Sequence, residues 1–284
     1  MIPPEFDYAA PATVEEALAL LAEHGDEAKV MSGGQSLLPV LRMRLNAPGI
    51  VVDISRIEEI KGITDTGDAI RIGAGATYQD VLDSDLISEH LALLHTALTE
   101  VADAQIRHRG TVCGALVHAD PAGDVGAPVL ALEGRMVIQG QDGERTVEAS
   151  DFFVDLFETA VGEDELLVAV EIPKHTGWGA HYEKFVRVSH QWAIIGIAAA
   201  VRVEGGTIAE ARVGLTNMGA TPLRATAVEE ALVGKEATEE AVAEACAQVG
   251  EGTDPPSDLN GQADYRKHVA GVLTRRAVLA AAGA

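Results

Sequence analysis

The chain is short of several things, and each shortage excludes something. Only 2 of its 284 residues are cysteine, too few for a disulfide framework or a cysteine-ligated iron–sulfur cluster. Aromatic residues make up 4% of the chain, which leaves no platform for stacking bases. Lysine and arginine number 21 against 44 acidic residues, and the net charge of −23 would repel nucleic acid. That acidity fits a well-solvated surface, a salty cytoplasm or a basic partner. No apolar run is long enough for an expected membrane span. The opening residues have neither a basic n-region nor an apolar h-region, so no signal peptide is expected and a cytoplasmic location is the default. The histidines do not cluster at ligand spacing. There is no G-x-G-x-x-G after a strand, no Walker A loop, no H-E-x-x-H and no G-x-S-x-G.

What remains is a globular chain, 47% apolar and long enough for two domains. Thr13 and Glu16 form a capping-box pattern ahead of Val14, Ala17, Leu18 and Leu21 on one helical face, which Gly25 ends. Strands are expected at 29–31, 50–54, 70–73, 136–139, 144–147 and 166–172. Helices are expected at 37–44, 78–82, 85–101 and 128–132. Gly177-Trp178-Gly179 marks a break in composition and a candidate domain boundary. Beyond it come strand-like runs at 181–188, 193–203 and 207–218, the last two joined by a tight turn at Gly205-Gly206. Helices follow at 224–232, 238–249 and 265–279. Strands and then helices read as an α+β domain.

Two small, polar loops are the chemical signal. Ser32-Gly33-Gly34-Gln35-Ser36 follows a short strand; its glycines let successive amides converge on an anion, with Ser32 and Ser36 adding hydroxyls and Lys29 a nearby charge. An ordinary strand-to-helix turn has the same look. Residues 111–124 read as a second such loop, with Thr111 as a phosphate donor and Gly114 permitting close approach. Asp124 is placed to accept from sugar-like hydroxyls or to cap the helix that follows. Two anion-binding loops far apart in sequence suggest one extended diphosphate held from both sides.

The ordered set of motifs resembles the FAD-binding medium subunit of molybdenum hydroxylases, the family of carbon monoxide dehydrogenase flavoproteins and xanthine dehydrogenases. The resemblance spans nearly the whole chain. It rests on Phe6-Asp7-Tyr8, the 32–38 segment (close to A-G-G-x-S-L), Val52-Asp53-Ile54, and Gln105-Ile106-Arg107 leading into Gly110-Thr111-Val112-Cys113-Gly114, which is similar to G-T-I-G-G. Residues 166–173, Tyr182–Phe185 and Gln191-Trp192-Ala193 complete it. The resemblance implies an α+β fold: a two-part FAD-binding domain of the PCMH/VAO type over 1–176, with subdomains of about 1–55 and 56–176. An α+β C-terminal domain of about three antiparallel strands and a helical bundle would follow over 177–284.

It also implies roles. Lys29, Met31, Ser32, Gly33, Gly34, Gln35, Ser36 and Leu37 would hold one side of the diphosphate. Gly110, Thr111, Val112, Cys113, Gly114 and Ala115 would hold the other. Asp124 would meet the flavin's sugar-like chain. Val101, Ala102, Val117 and His118 would lie along the cofactor, Leu166 or Leu167 near a ring, and Trp192 near the isoalloxazine. No residue would be catalytic in its own right. Cys113 stands where the family has glycine and Ala115 where it often has asparagine; a buried core thiol and a redox-active one are both open readings of Cys113. Gln35 stands where carbon monoxide dehydrogenases often have histidine. The implied function is electron transfer. FAD here would take electrons from two [2Fe–2S] clusters of a small subunit, fed by a molybdenum cofactor in a large subunit, and release them to an external acceptor. The implied assembly is a dimer of heterotrimers. The competing readings are a self-contained flavin oxidoreductase, for which the C-terminal domain offers Tyr182, Lys184 and His190 as candidate acid–base groups, and a non-redox nucleotide-binding module. Arg107-His108-Arg109 is a cationic cluster facing a phosphate, a partner or solvent.

Overall fold

The computed structural model describes residues 2–284. The chain opens with β1 (Asp7–Ala9), α1 (Val14–His24), β2 (Ala28–Met31), α2 (Leu37–Arg42) and β3 (Ile50–Asp53). Thr13 caps α1 by accepting from the Glu16 amide, while the Glu16 carboxylate reaches back to Ala12 rather than to Thr13. Gly25, at φ +53°, ends the helix, and Ala17, Leu18 and Leu21 form its buried stripe. The three strands make a parallel sheet in the order β1-β3-β2, with Tyr8 and Lys29 flanking Val51. The Ser32–Ser36 loop therefore leaves the carboxyl end of a parallel edge strand, a usual place for a ligand.

The second unit runs through β4 (Ile63–Asp65), β5 (Ala69–Gly73), α3 (Tyr78–Leu82), α4 (Asp85–His90), α5 (Ala92–Thr99), α6 (Ala104–Arg107), α7 (Val112–His118) and α8 (Gly126–Ala131). It closes with β6 (Arg135–Gly140), β7 (Gly143–Glu148), α9 (Ala149–Phe152), β8 (Phe153–Asp155), β9 (Glu158–Thr159) and β10 (Leu166–Pro173). Its main sheet is antiparallel, in the order β4-β5-β10-β6-β7. The central β10 is buried at both Leu166 and Leu167, so it is a near-continuous apolar run rather than an alternating one.

Two sequence expectations change here. The helix expected over 85–101 is broken at Leu91, because the carbonyl of His90 accepts from the amide of His175 (2.9 Å) and Leu91 leaves helical geometry. The stretch expected as a loop over 111–124 contains α7: the Thr111 hydroxyl accepts from the Gly114 amide (3.1 Å), a side-chain cap that starts a helix despite the glycine inside it.

The third unit comprises β11 (Gly179–Phe185), β12 (Ile195–Glu204), β13 (Thr207–Thr216), β14 (Leu223–Arg224), α10 (Thr226–Leu232), α11 (Glu239–Cys246) and α12 (Ala263–Ala282). Its sheet is antiparallel in strand order, with the two-residue β14 added to the three expected strands. Gly205 and Gly206, at φ +57° and +83°, supply the two positive torsions that the β12–β13 hairpin requires. Strand β12 explains why two domains pack as one body. Ala198 and Ala200 belong to the core shared with the first two units, while Ile197, Ala199 and Val201 belong to the core under α10–α12. Alternate residues thus face alternate cores, and small alanines allow α5 and α8 to sit close.

Candidate functional site

The two glycine loops meet. A Cβ on Gly33 would lie 1.9 Å from the carbonyl oxygen of Arg109 and 2.7 Å from the Cα of Gly110, so only glycine lets the first loop rest on the second. Thr111 donates to the Ser32 hydroxyl (3.2 Å), which donates to the carbonyl of Ala74 (3.2 Å). Gly34 takes the left-handed torsion φ +73°. Among the described residues the amides of Gly33, Gly34, Gln35 and Ser36 find no acceptor. At the start of α7 the amides of Val112 and Cys113 are likewise left over by helix geometry. Gly114 keeps this end open, since a Cβ there would strike the Thr111 hydroxyl at 2.6 Å. Unpaired amides and helix-end dipole from two sides are the donor set a diphosphate needs, and both loops supply it from backbone.

A cleft of about 260 Å³ is lined by Ser32, Gly33 and Thr111, together with Lys61, His108 and Arg109. A larger groove of about 820 Å³ lies between α1 and the β6–β7 turn; it shares Lys61 but reaches neither loop. Of the unpaired amides, that of Gly33 lies on a residue lining the smaller cleft, and chemistry rather than size marks the site. Lys61 was not singled out by sequence reading, having no motif around it. The basic run 107–109 divides its labour. Arg107 turns inward to the carbonyl of Val101 (2.9 Å), and His108 and Arg109 line the cleft.

A second cluster forms around Asp124, which is buried. Its Oδ1 accepts from the Tyr182 hydroxyl (2.9 Å) and its Oδ2 from Lys184 Nζ (2.7 Å). Lys184 also donates to the carbonyl of Glu100 (2.9 Å). Burial pushes the Asp124 carboxyl up, and the Lys184 ammonium opposes that shift. The Tyr182 phenol is raised far out of reach of neutral pH by burial and by Asp124. Asp124 does not cap α8, whose N-cap is Val125 with no side-chain bond. Nearby, His190 Nδ1 donates to the carbonyl of Ala102 (2.6 Å), a residue held at φ +42°. Tyr182, Lys184 and His190 are thus committed to the segments 100–102 and 124, and do not form a separate acid–base pocket.

The other expected residues are scattered around these two clusters. Lys29 is exposed on the edge strand, and the Met31 sulfur packs against Gly34. Leu37 begins α2. Cys113 is buried, its thiol pushed up to about 12 by burial, which makes it a core residue and not a reactive thiol. Ala115 lies half-buried within α7. Val117 is exposed, and the His118 ring meets Phe157 at 5.2 Å, with burial holding its imidazole below its usual range. Leu167 is buried in β10 opposite Ile138. Trp192 is 59% exposed, which excludes a plain core role.

Comparison with known proteins places this geometry. The family profile described as the FAD binding domain in molybdopterin dehydrogenase matches residues 4–175, and that of the CO dehydrogenase flavoprotein C-terminal domain matches 180–281. The chain is 39% identical over 284 residues to the carbon monoxide dehydrogenase medium chain of Hydrogenophaga pseudoflava, covering 99% of this chain and 98% of that protein. It is 34% identical to the glyceraldehyde dehydrogenase medium chain of Sulfolobus acidocaldarius, covering 98% of each. Its fold superposes on the reconstituted CO dehydrogenase from Oligotropha carboxidovorans with a TM-score of 0.97 at 36% identity, covering 100% of this chain and 99% of that one. The chain belongs to the family of FAD-binding medium subunits of molybdenum hydroxylases.

Proposed function

We propose that this chain carries the flavin step of a molybdenum hydroxylase: it holds FAD, receives electrons from an iron–sulfur subunit and passes them to an external acceptor. The observation that carries this reading is the contact of Ser32–Gly33 with Arg109–Thr111, with unpaired amides on both loops. FAD, when bound, supplies the redox chemistry; the protein supplies grip, orientation and electrostatics. The amides of 33–36 and 112–113 would take the diphosphate, with Lys29, Met31, Leu37, Gly110, Thr111, Gly114 and Ala115 shaping the two walls. Asp124 would accept from the sugar-like chain, and Ala102, Val117, His118, Leu167 and Trp192 would border the cofactor. The exposure of Trp192 supports a role that burial in a core would deny it.

The FAD-binding part would span 1–176 and the C-terminal part 177–284. The partners would be a small subunit with two [2Fe–2S] clusters and a large subunit with the molybdenum cofactor, assembled as a dimer of heterotrimers in the cytoplasm. Among the described residues no helix is long and apolar enough to cross a membrane. A self-contained flavoenzyme is disfavoured because its candidate acid–base groups already pair with Asp124 and with the carbonyls of Glu100 and Ala102. The test is affinity purification from the native host with ultraviolet–visible absorbance. The reading predicts a flavin band and co-purification with an iron–sulfur and a molybdenum subunit. A colourless single chain, or a single chain that alone turns over an organic substrate, would overturn it.

A further inference from the structure

We propose that residues 2–54 form a hinged flap that swings on segment 55–59, opens to admit FAD and is pinned shut by it. This rests on the reading of the Ser32–Ser36 loop given above, and adds the route by which the cofactor enters and leaves.

The two seams of the molecule are built differently. Between the second and third units, α5 and α8 pack on β11, β12 and β13, and Ala198 and Ala200 lie in a shared core. Ion pairs reinforce that seam: Lys184 meets Asp124, and Arg212 and Arg224 meet Glu133 at 3.4 and 2.9 Å. An interface so apolar and continuous holds its two sides as one body. No helix or strand of the first unit packs in that way on the second. Beyond the connecting segment 55–58, three hydrogen bonds tie residues 2–54 to the rest. Val14 donates its amide to Glu59 Oε1 (2.5 Å), Ser32 its hydroxyl to the carbonyl of Ala74 (3.2 Å), and Thr111 its hydroxyl to Ser32 (3.2 Å). No backbone-to-backbone bond is among them. Among the described residues, no ion pair involves residues 2–54. A seam with so few bonds is where local opening costs least.

The bend can be placed. The Ile54 amide donates to the carbonyl of Met31 (2.9 Å), so Ile54 moves with β2. The carbonyls of Ile60 and Gly62 accept from the amides of Gly75 (2.8 Å) and Gly73 (3.0 Å), so residues 60–62 ride on β5. Flexing is left to 55–59, with the fully buried Ile57 as its pivot. Open volume lies along the seam. The 820 Å³ groove is faced by Thr13 and Leu18 from the first unit and by Gln139 and Val168 from the second. The 260 Å³ cleft is faced by Ser32 and Gly33 from the first unit and by Thr77 and Thr111 from the second. The first unit can therefore turn about its pivot into space instead of into packed side chains, as hinge closure around a ligand requires. The unpaired amides of 33–36 ride on the flap and those of 112–113 on the body. A diphosphate bridging the two makes its full set of bonds in the closed position alone, so binding shifts the chain toward closure.

The test is a distance measurement between paired spin labels on the full chain, with and without FAD. Glu23→Cys with Asp142→Cys places labels at exposed sites on either side of the larger groove, and Asp142→Cys with Glu230→Cys keeps both labels on the body. Cys113 and Cys246 are buried with thiols pushed up to about 12, so they stay unlabelled. The proposal predicts a broad 23–142 distribution in the FAD-free chain that narrows when FAD binds, and a narrow 142–230 distribution in both. A 23–142 distribution as narrow as the control without FAD would overturn the hinge, whatever the chain binds. A broad 23–142 distribution that stays broad when flavin absorbance shows FAD bound would overturn the link to the cofactor. Absence of any bound FAD would instead refute the reading of the loop, and the FAD-free distribution would still decide the hinge. A second measurement is the rate of FAD release by stopped flow. Glu59→Ala removes a bond that the closed flap makes far from the glycine loops, and should speed release about threefold with the circular dichroism unchanged. A wild-type release rate in that variant would count against exit through this seam.

Discussion

At the glycine loops, the groups offered to a ligand are backbone amides, and their positions are fixed by Gly33 lying against Arg109 and Gly110. At the Asp124 cluster, the groups are side chains brought together from positions 58 and 60 residues apart. The first arrangement tolerates nearly any side chain that leaves the backbone in place. The second tolerates almost no change of side chain, yet asks little of the local backbone. The two regions thus show two kinds of fragility, and substitutions separate them.

The largest effect is expected at the backbone contact. Gly33→Val puts branched carbon where the Arg109 carbonyl stands, so the loops must part. FAD affinity should fall on the order of 100-fold, about 2.7 kcal/mol, measured by fluorescence titration. Next comes the side-chain cluster. Asp124→Ala leaves Lys184 buried without its counter-charge and should lower the unfolding free energy by about 3 kcal/mol in a denaturant titration. Equal losses of FAD affinity and of stability in both variants would erase the distinction between the two regions.

A smaller effect sharpens it. Cys113 contributes its amide to α7 and its side chain to the core, so Cys113→Ala should leave FAD affinity within about threefold. In the native protein its thiol, pushed up to about 12, should resist alkylation at pH 8 and react only on unfolding. The smallest effect lies outside both regions. The Arg145 guanidinium holds the Glu165 carboxyl below its usual range. A lowered folded-state value contributes stability above the unfolded value, and that contribution is lost as pH falls through the folded one. Arg145→Ala should therefore cost less than about 1 kcal/mol at pH 7, and the difference from wild type should shrink under acid.

The contrast also explains what the sequence revealed. The loops were legible because their signal is local: a glycine pair after a short strand, a threonine and a glycine three residues apart. Even there the reading stopped short, since the helical state of 112–118 depends on a cap that a glycine and β-branched neighbours conceal. The Asp124 cluster was half-legible. The carboxylate was singled out, but Tyr182 and Lys184 were noticed only as candidates for a different chemistry, because nothing local says which distant acid they meet. Lys61 was silent for the same reason. The break at Leu91 follows from a carbonyl claimed by His175, a partner 85 positions away from His90 in the numbering and invisible to periodicity. The β8–β9 hairpin and β14 were missed because strands of two or three residues carry too few positions to show alternation.

The measurement that bears most directly on the account is a crystal structure of the chain with FAD bound. The account predicts one phosphate within hydrogen-bond distance of the amides of residues 33–36 and the other at the first turn of α7, with the sugar-like chain directed at Asp124. A dinucleotide lying instead in the groove between α1 and the β6–β7 turn, with both glycine loops free of phosphate, would contradict it.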